Sequence, residues 1–270
     1  MTVTETATAS VAGAVRAVLL AADPHAKVMA ARAAARAWRA GRLAHRFDVA
    51  MPDRPARPDR PLLLAPGRMP KRGKVGSDRG RIAMLHALAH IEFVAIDLAF
   101  DLIGRFGEGF PPDFIDDWMR VGAEESLHFA ILDRRLRTLG CRYGDLPAHD
   151  GLWQAAEATA GDPLARLAVV PMVLEARGLD VTPATIERFK AAGDGPSARL
   201  LARIMRDEIH HVGVGVRWFE WACAAQRFEP KSHWKCLVTQ HFQGMIKPPF
   251  NDSARDAAGL TKDFYLSLAP

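Results

Sequence analysis

The sequence predicts an all-α protein built around a four-helix bundle, and three observations support this fold class. Alanine is abundant and only two of 270 residues are tyrosine, a composition that favours helices. From residue 77 onward apolar residues recur with helical spacing, and no segment alternates with period two over a useful length. Two Glu-x-x-His motifs stand in matched sequence contexts, an arrangement typical of metal-binding helix bundles.

Composition and cysteine usage are those of a soluble globular protein. Hydrophobic residues make up 49% of the chain and charged residues 25%. The three cysteines show no Cys-x-x-Cys spacing, which indicates reduced thiols in a cytoplasmic protein. An apolar stretch at residues 11–22 is interrupted by Arg16 and is too short to span a bilayer. We therefore expect a cytoplasmic protein with no membrane partner.

Residues 1–76 predict an N-terminal extension of helices followed by a Pro- and Arg-rich connector. Helical patterns cover residues 11–22 and 25–40, and the second follows Asp23 and Pro24, a cap and a first-turn proline. Six prolines between residues 50 and 80 exclude a helix or a central strand there. The net charge of the chain is +5, and much of its basicity lies in residues 32–81. A nucleic-acid partner and a solvated Arg-rich linker both fit that charge, and the linker is the simpler interpretation.

The sequence predicts that residues 77–230 form the bundle and that residues 231–270 form a tail that packs on it. The predicted tail is irregular after residue 249 apart from one short helix near residues 260–268. Pro171 is expected to distort the third bundle helix. The predicted helices cover residues 79–105, 112–139, 152–177 and 197–227, with a short helix at 183–192.

Four glutamates and two histidines form the candidate metal site. Glu125 precedes His128 by three residues, Glu208 precedes His211 by three, and each pair has a lone glutamate 33 positions before its own glutamate. Residues three apart share one helix face, so each pair can offer an oxygen and a nitrogen to one point. This mixture suits Fe or Mn better than tetrahedral Zn. The predicted metal ligands are Glu92, Glu125, His128, Glu175, Glu208 and His211.

Each motif by itself would indicate a surface ion pair or a helix cap; the repeated 33-residue offset is what favours metal. It predicts two antiparallel helix hairpins with ligands at the same depth. Glu124, Asp207 and His210 are expected to be solvent-facing companions of the ligands. No catalytic residue beyond the ligands is assigned.

The first bundle helix also carries a polar stripe, formed by His86, His90, Asp97 and Asp101. Glu92 lies about 200° around the helix from His90 at roughly 100° per residue, so the two should not bind the same metal. The stripe either orients the ligands through hydrogen bonds or contacts the Arg-rich connector. Further candidates for orienting the ligands, or for capping the third helix, are Arg177 and Asp180.

Several segments are similar to a bacterial ferritin-like family catalogued as a domain of unknown function, within the di-iron carboxylate superfamily. The matching segments are residues 80–101, 123–129, 147–153, 173–183 and 248–251. The resemblance implies a ferritin-like bundle with the same six ligands and assigns no activity. His210 stands where a small residue is expected. Related bundle enzymes hydroxylate a modified adenosine in tRNA, but only the six ligands match, so that substrate does not carry over.

The expected function is a di-iron oxidase or monooxygenase. It would hold two Fe ions, with Mn as the other metal, and use O₂ with an unknown small-molecule or RNA substrate. The electron donor is undefined, and a homodimer is compatible with the sequence. Four alternatives remain open: a ferroxidase, a Mn catalase-like enzyme, a tRNA-modifying hydroxylase and a non-enzymatic metal-binding protein.

Overall fold

A computed structural model describes residues 9–71 and 73–269, and within these ranges the chain is mainly helical. Residues 1–8 and residue 72 of the predicted N-terminal segment, and residue 270 of the predicted tail, lie outside the described residues. The helix content confirms the all-α class, whereas the ferritin-like four-helix arrangement stays a prediction. The α-helices are α1 (Val11–Leu19), α2 (Pro24–Arg39), α3 (Asp78–Phe106), α4 (Pro112–Thr138), α5 (Gly151–Ala158), α6 (Pro163–Val169), α7 (Ala176–Ala191), α8 (Gly195–Gln226), α9 (Pro230–His241), α10 (Asp252–Ala257) and α11 (Lys262–Tyr265).

The chain divides into two compact units. Among the described residues, the first unit contains residues 9–59 together with Glu92–Phe129, and the second contains Arg60–Ile91 and the residues from Ala130 onward. Helices α3 and α4 each contribute residues to both units. The predicted segments 1–76, 77–230 and 231–270 were defined by sequence character, and that division stays a prediction.

In the first unit, α1 and α2 pack on each other; α1 begins at the predicted residue 11, and α2 begins at Pro24, one residue before the predicted start. The Ser10 hydroxyl caps α1 by accepting a hydrogen bond from the Gly13 amide, and Asp23 caps α2 in the same way. Strand β1 (Ala9–Ser10) pairs in parallel with β2 (Leu43–Ala44). The segment after α2 therefore lies beside the segment that precedes α1.

The first unit also anchors the connector to α3 through a buried charge cluster. The Lys27 ammonium lies 2.5 Å from one oxygen of Asp97, and the Arg57 guanidinium lies 2.5 Å from the other. Lys27 and Asp97 are both fully buried. The connector therefore has a fixed attachment to the helix that carries Glu92.

In the second unit, the prediction of one helix over residues 152–177 is wrong in two respects, a break in its first half and its C-terminal end. Helix α5 ends at Ala158, and a new helix, α6, begins at Pro163. The Asp162 carboxylate caps α6. At its other end the helix does not stop at Gly178 but continues as α7 to Ala191, so the separate helix predicted at 183–192 belongs to α7.

A π-helical segment, Val170–Glu175, joins α6 to α7. Pro171 has no amide hydrogen and cannot form the usual helical backbone hydrogen bond. The helix distortion predicted at this proline is therefore present as a π-helical segment. Helix α8 packs closely against this segment at Gly215: a Cβ placed on that glycine would lie only 2.5 Å from the Cβ of Pro171. Glu175 is the last residue of this segment.

The C-terminal region contains more helix than predicted, because α9 and α10 are present in addition to α11, which lies where the short helix near residues 260–268 was predicted. The Arg255 guanidinium donates to both oxygens of Asp180 on α7, at 2.8 and 2.7 Å, and both residues are buried. Arg177 donates to the carbonyls of Lys247 and Pro249. The tail is therefore bound to α7 within the second unit.

Among the described residues, one helical stretch is long and apolar enough to cross a membrane, Asp78–Gly109, with a mean hydropathy of 1.6. About two thirds of its apolar window, 67%, is buried inside the protein, as in the core helix of a soluble protein. The cytoplasmic location stays a prediction.

Candidate metal centre

Three of the six predicted ligands meet within the first unit. The Nδ1 atom of His128 lies 3.3 Å from an oxygen of Glu92 and 3.3 Å from an oxygen of Glu125. His128 is fully buried, Glu125 is 1% exposed and Glu92 is 6% exposed. Glu125 and His128 are brought together by one turn of α4, while Glu92 comes from α3.

In the second unit, Glu208 and His211 form the equivalent pair on α8. The Nδ1 atom of His211 lies 3.5 Å from an oxygen of Glu208, His211 is fully buried and the Glu208 side chain is 13% exposed. Like Glu125 and His128, this pair offers ligand atoms within 4.8 Å of each other. Glu175 is partly exposed at the end of the π-helical segment.

The residues beside the ligands are more exposed than the ligand histidines. The Glu124 carboxylate accepts a hydrogen bond from Arg120 at 3.0 Å, and its side chain is 25% exposed. Asp207 and His210 are also partly exposed. Two buried aromatic rings, Phe93 and Phe129, follow Glu92 and His128 in sequence, and their centroids lie 5.3 Å apart.

The three residues of the first unit fit a divalent cation. An imidazole nitrogen and carboxylate oxygens are the donors that Fe and Mn accept, and they converge here from two helices. Burying two ionised carboxylates is costly unless their charge is neutralised, and a bound cation would do so. In the metal-free chain the same geometry allows a hydrogen bond between His128 and a glutamate.

The polar stripe on α3 contacts different partners in each unit. His86 and His90 both stack on Tyr143, and the Tyr143 hydroxyl lies 2.9 Å from Nδ1 of His90. Sequence reasoning missed Tyr143, because it lies in the loop after α4, 53 residues from His90, and no spacing rule links them.

Asp97 and Asp101 contact basic groups of the first unit instead. Asp97 accepts from Lys27 and Arg57, and Asp101 accepts from Arg105, which also donates to the carbonyl of Pro52. Burial raises the pKa of Asp97, although its two basic partners oppose that effect. Asp97 therefore contacts the connector at Arg57, and Asp101 is linked to it through Arg105 and Pro52, which is one of the two roles expected for the stripe.

Comparisons with known proteins give a family but no activity. Residues 20–266 match the family model described as "Protein of unknown function (DUF455)". The chain is 41% identical over 211 residues to an "Uncharacterized protein" of Haemophilus influenzae, covering 76% of this chain and 73% of the relative. No solved structure matches. The family model spans most of the sequence, and the chain therefore belongs to the DUF455 family.

Proposed function

We propose that the chain is a di-metal carboxylate oxidoreductase, with two Fe ions held by Glu92, Glu125, His128, Glu175, Glu208 and His211. The observation that carries the proposal is the convergence of Glu92 and Glu125 on the buried Nδ1 atom of His128. A second pair of the same residue types, Glu208 and His211, repeats the arrangement. The ferritin-like resemblance supports the same ligand set within a four-helix bundle.

The repeated sequence spacing is the reason for proposing two metals. Glu92 precedes Glu125 by the same interval at which Glu175 precedes Glu208. In di-iron bundles, two helices each give a glutamate and two others each give a Glu-x-x-His motif, all directed inward. The two sets of this chain match that inventory, so each histidine would bind one metal and the carboxylates would be shared.

When bound, the iron pair would supply O₂ activation for the oxidation or hydroxylation of a substrate. The protein's own residues would hold the ligands in place and exclude water from them. Phe93 and Phe129 pack together directly after two ligands in sequence, and both are buried. Apolar walls of this kind prevent water from quenching a reactive site.

The proposal is tested by loading the full chain with Fe(II) without oxygen, adding O₂ and recording O₂ uptake with an electrode. Ascorbate is then supplied as an artificial reductant. We expect uptake that continues with ascorbate, is lost in Glu125→Gln and is retained in Glu124→Gln. Glu124 is a matched control, because it is the adjacent glutamate on the same helix turn.

Other outcomes would overturn the proposal. Uptake that ends once the bound Fe(II) is oxidised would indicate a ferroxidase. Rapid release of O₂ from hydrogen peroxide by the Mn-loaded chain, without O₂ uptake by the Fe-loaded chain, would indicate peroxide disproportionation. Equal O₂ uptake by Glu124→Gln and Glu125→Gln would show that O₂ does not react at a metal centre held by these six ligands.

A further inference from the structure

The second unit contains a cavity of about 370 Å³, and none of its described lining residues is a predicted metal ligand. Its apolar wall includes Ile82 and Ala83 on α3 and Leu146 in the loop after α4, and its described lining residues also include Lys71, Arg79 and His86. None of the described lining residues is acidic. Its volume is near the lower end of the range for small-molecule sites.

The protonation of His86 follows from its hydrogen bonds. The Nε2 atom accepts from the backbone amide of Gly144 at 2.9 Å and, more weakly, from that of Leu146 at 3.4 Å. An imidazole nitrogen that accepts a hydrogen bond from an amide cannot carry a proton, so the proton of the neutral ring is on Nδ1. His86 is 1% exposed, and stacking on Tyr143 fixes its ring plane.

Nδ1–H is therefore the donor that this buried ring can offer to a ligand. Within the described part of the chain, every hydrogen bond of His86 is made through Nε2. Burial lowers the pKa of His86, although Asp145 and Asp133 favour its charged form, and the net lowering favours the neutral ring. Both of these aspartates accept backbone amide hydrogen bonds, from Arg142 and Tyr143 respectively.

Two cationic side chains complete the site. Lys71 and Arg79 are exposed residues that line the same cavity, so their charges face solvent while the apolar wall and His86 lie deeper. A ligand with one anionic group and an apolar body would match this distribution. The planar guanidinium of Arg79 suits a carboxylate in particular, because it can donate two parallel hydrogen bonds.

We propose that this cavity binds a small carboxylate with an apolar body, whose carboxylate accepts a hydrogen bond from Nδ1 of His86 and is attracted by Arg79 and Lys71. The proposal does not depend on the metal centre. It assigns to His86 a ligand-binding role that is distinct from orienting the metal ligands.

Calorimetric titration of the full chain with octanoate and with benzoate tests the proposal, with 1-octanol and inorganic phosphate as comparison ligands. We expect at least one carboxylate to bind more tightly than both comparison ligands. His86→Gln keeps an acceptor oxygen near the position of Nε2 but removes the Nδ1 donor, so affinity should fall about tenfold or more. Arg79→Ala should weaken binding about two- to fivefold. The control, Arg68→Ala, removes an exposed arginine of the connector that is not among the described cavity-lining residues, and it should leave affinity unchanged.

Thermal unfolding of each variant separates loss of binding from loss of fold. If His86→Gln unfolds below the titration temperature, the proposal is tested with Arg79→Ala and Lys71→Ala. Both residues are exposed, so these variants should remain folded. The proposal is overturned if neither carboxylate binds, if 1-octanol or phosphate binds as tightly, or if folded His86→Gln binds unchanged. An equal loss of affinity in Arg68→Ala would also overturn it.

Discussion

Replacing Lys27 by methionine should destabilise the first unit, because Lys27 and Arg57 are the two basic groups of the described residues that form ion pairs with the buried Asp97 carboxylate. The Lys27 ammonium lies 2.5 Å from Asp97 and also donates to the carbonyls of Val18 and Leu19, at 3.2 and 3.4 Å. Methionine fills a similar volume but provides neither charge nor donor. The variant therefore leaves Asp97 fully buried with Arg57 as its remaining basic partner.

The size of the effect follows from what remains around Asp97. Removing one partner of a buried ion pair costs about 3–5 kcal/mol, because the other charge stays buried. Arg57 still contacts the second oxygen of Asp97, and its side chain is 19% exposed. We therefore expect a loss near the lower limit, about 3 kcal/mol. A loss of this size is a large fraction of the roughly 5–15 kcal/mol by which folded domains are usually stable.

Urea unfolding followed by circular dichroism at constant pH measures the loss. Asp97→Asn should also destabilise the chain, because it leaves Lys27 buried opposite a neutral group. The double variant Lys27→Met/Asp97→Asn should lose less stability than the sum of the two single variants, since it removes both charges. Lys231→Met serves as the control, because Lys231 pairs with Asp263 at an exposed position, and its unfolding midpoint should change little. An unchanged midpoint for Lys27→Met, or additive losses in the double variant, would refute this reasoning.

Two further predictions concern the second unit. Asp194 caps α8 by accepting from the amide of Ser197 at 3.0 Å, so Asp194→Ala should cost about 1 kcal/mol in urea unfolding at neutral pH, and an unchanged midpoint would contradict this role. Burial by itself raises the pKa of Asp194, but the hydrogen bonds from Ser197 and the ion pair with Arg135 together outweigh burial and hold the pKa below its usual value. This contribution should therefore be full above about pH 4 and lost as pH falls further. A loss that stays constant down to about pH 2 would contradict it. Gly215→Ala should cost about 1–3 kcal/mol in thermal or urea unfolding, because its Cβ would meet Pro171. Gly213→Ala, whose nearest described neighbour would be an ordinary 3.5 Å contact, should be neutral or slightly stabilising, and equal effects at both glycines would contradict the close helix approach.

Local sequence signals predicted the helix ends well where a cap or a left-handed residue decides them. Helix α4 ends before Gly140 as expected, because that glycine adopts a positive φ of 77°. Gly178 gave the same signal but is not among the positive-φ residues, and α7 continues through it. A glycine ends a helix only when tertiary packing favours the left-handed conformation, which sequence alone does not reveal.

The candidate site was predictable only in part, for a related reason. Spacing along one helix placed Glu125 with His128 and Glu208 with His211, because those contacts are local. The contact between Lys27 and Asp97 spans 70 residues, and a lysine in an Ala-rich helix gives no sign that it will be buried. Long-range pairs of this kind depend on the packing of whole elements.

Metal content tests the central claim most directly. The full chain would be loaded with Fe(II) without oxygen, separated from free metal and measured by plasma mass spectrometry. We expect two metal ions per chain, with a clear loss in His128→Ala, in His211→Ala and in Glu125→Gln, and no loss in Glu124→Gln. A chain that retains no metal after loading, or one in which Glu124→Gln loses as much metal as Glu125→Gln, would contradict the proposed centre.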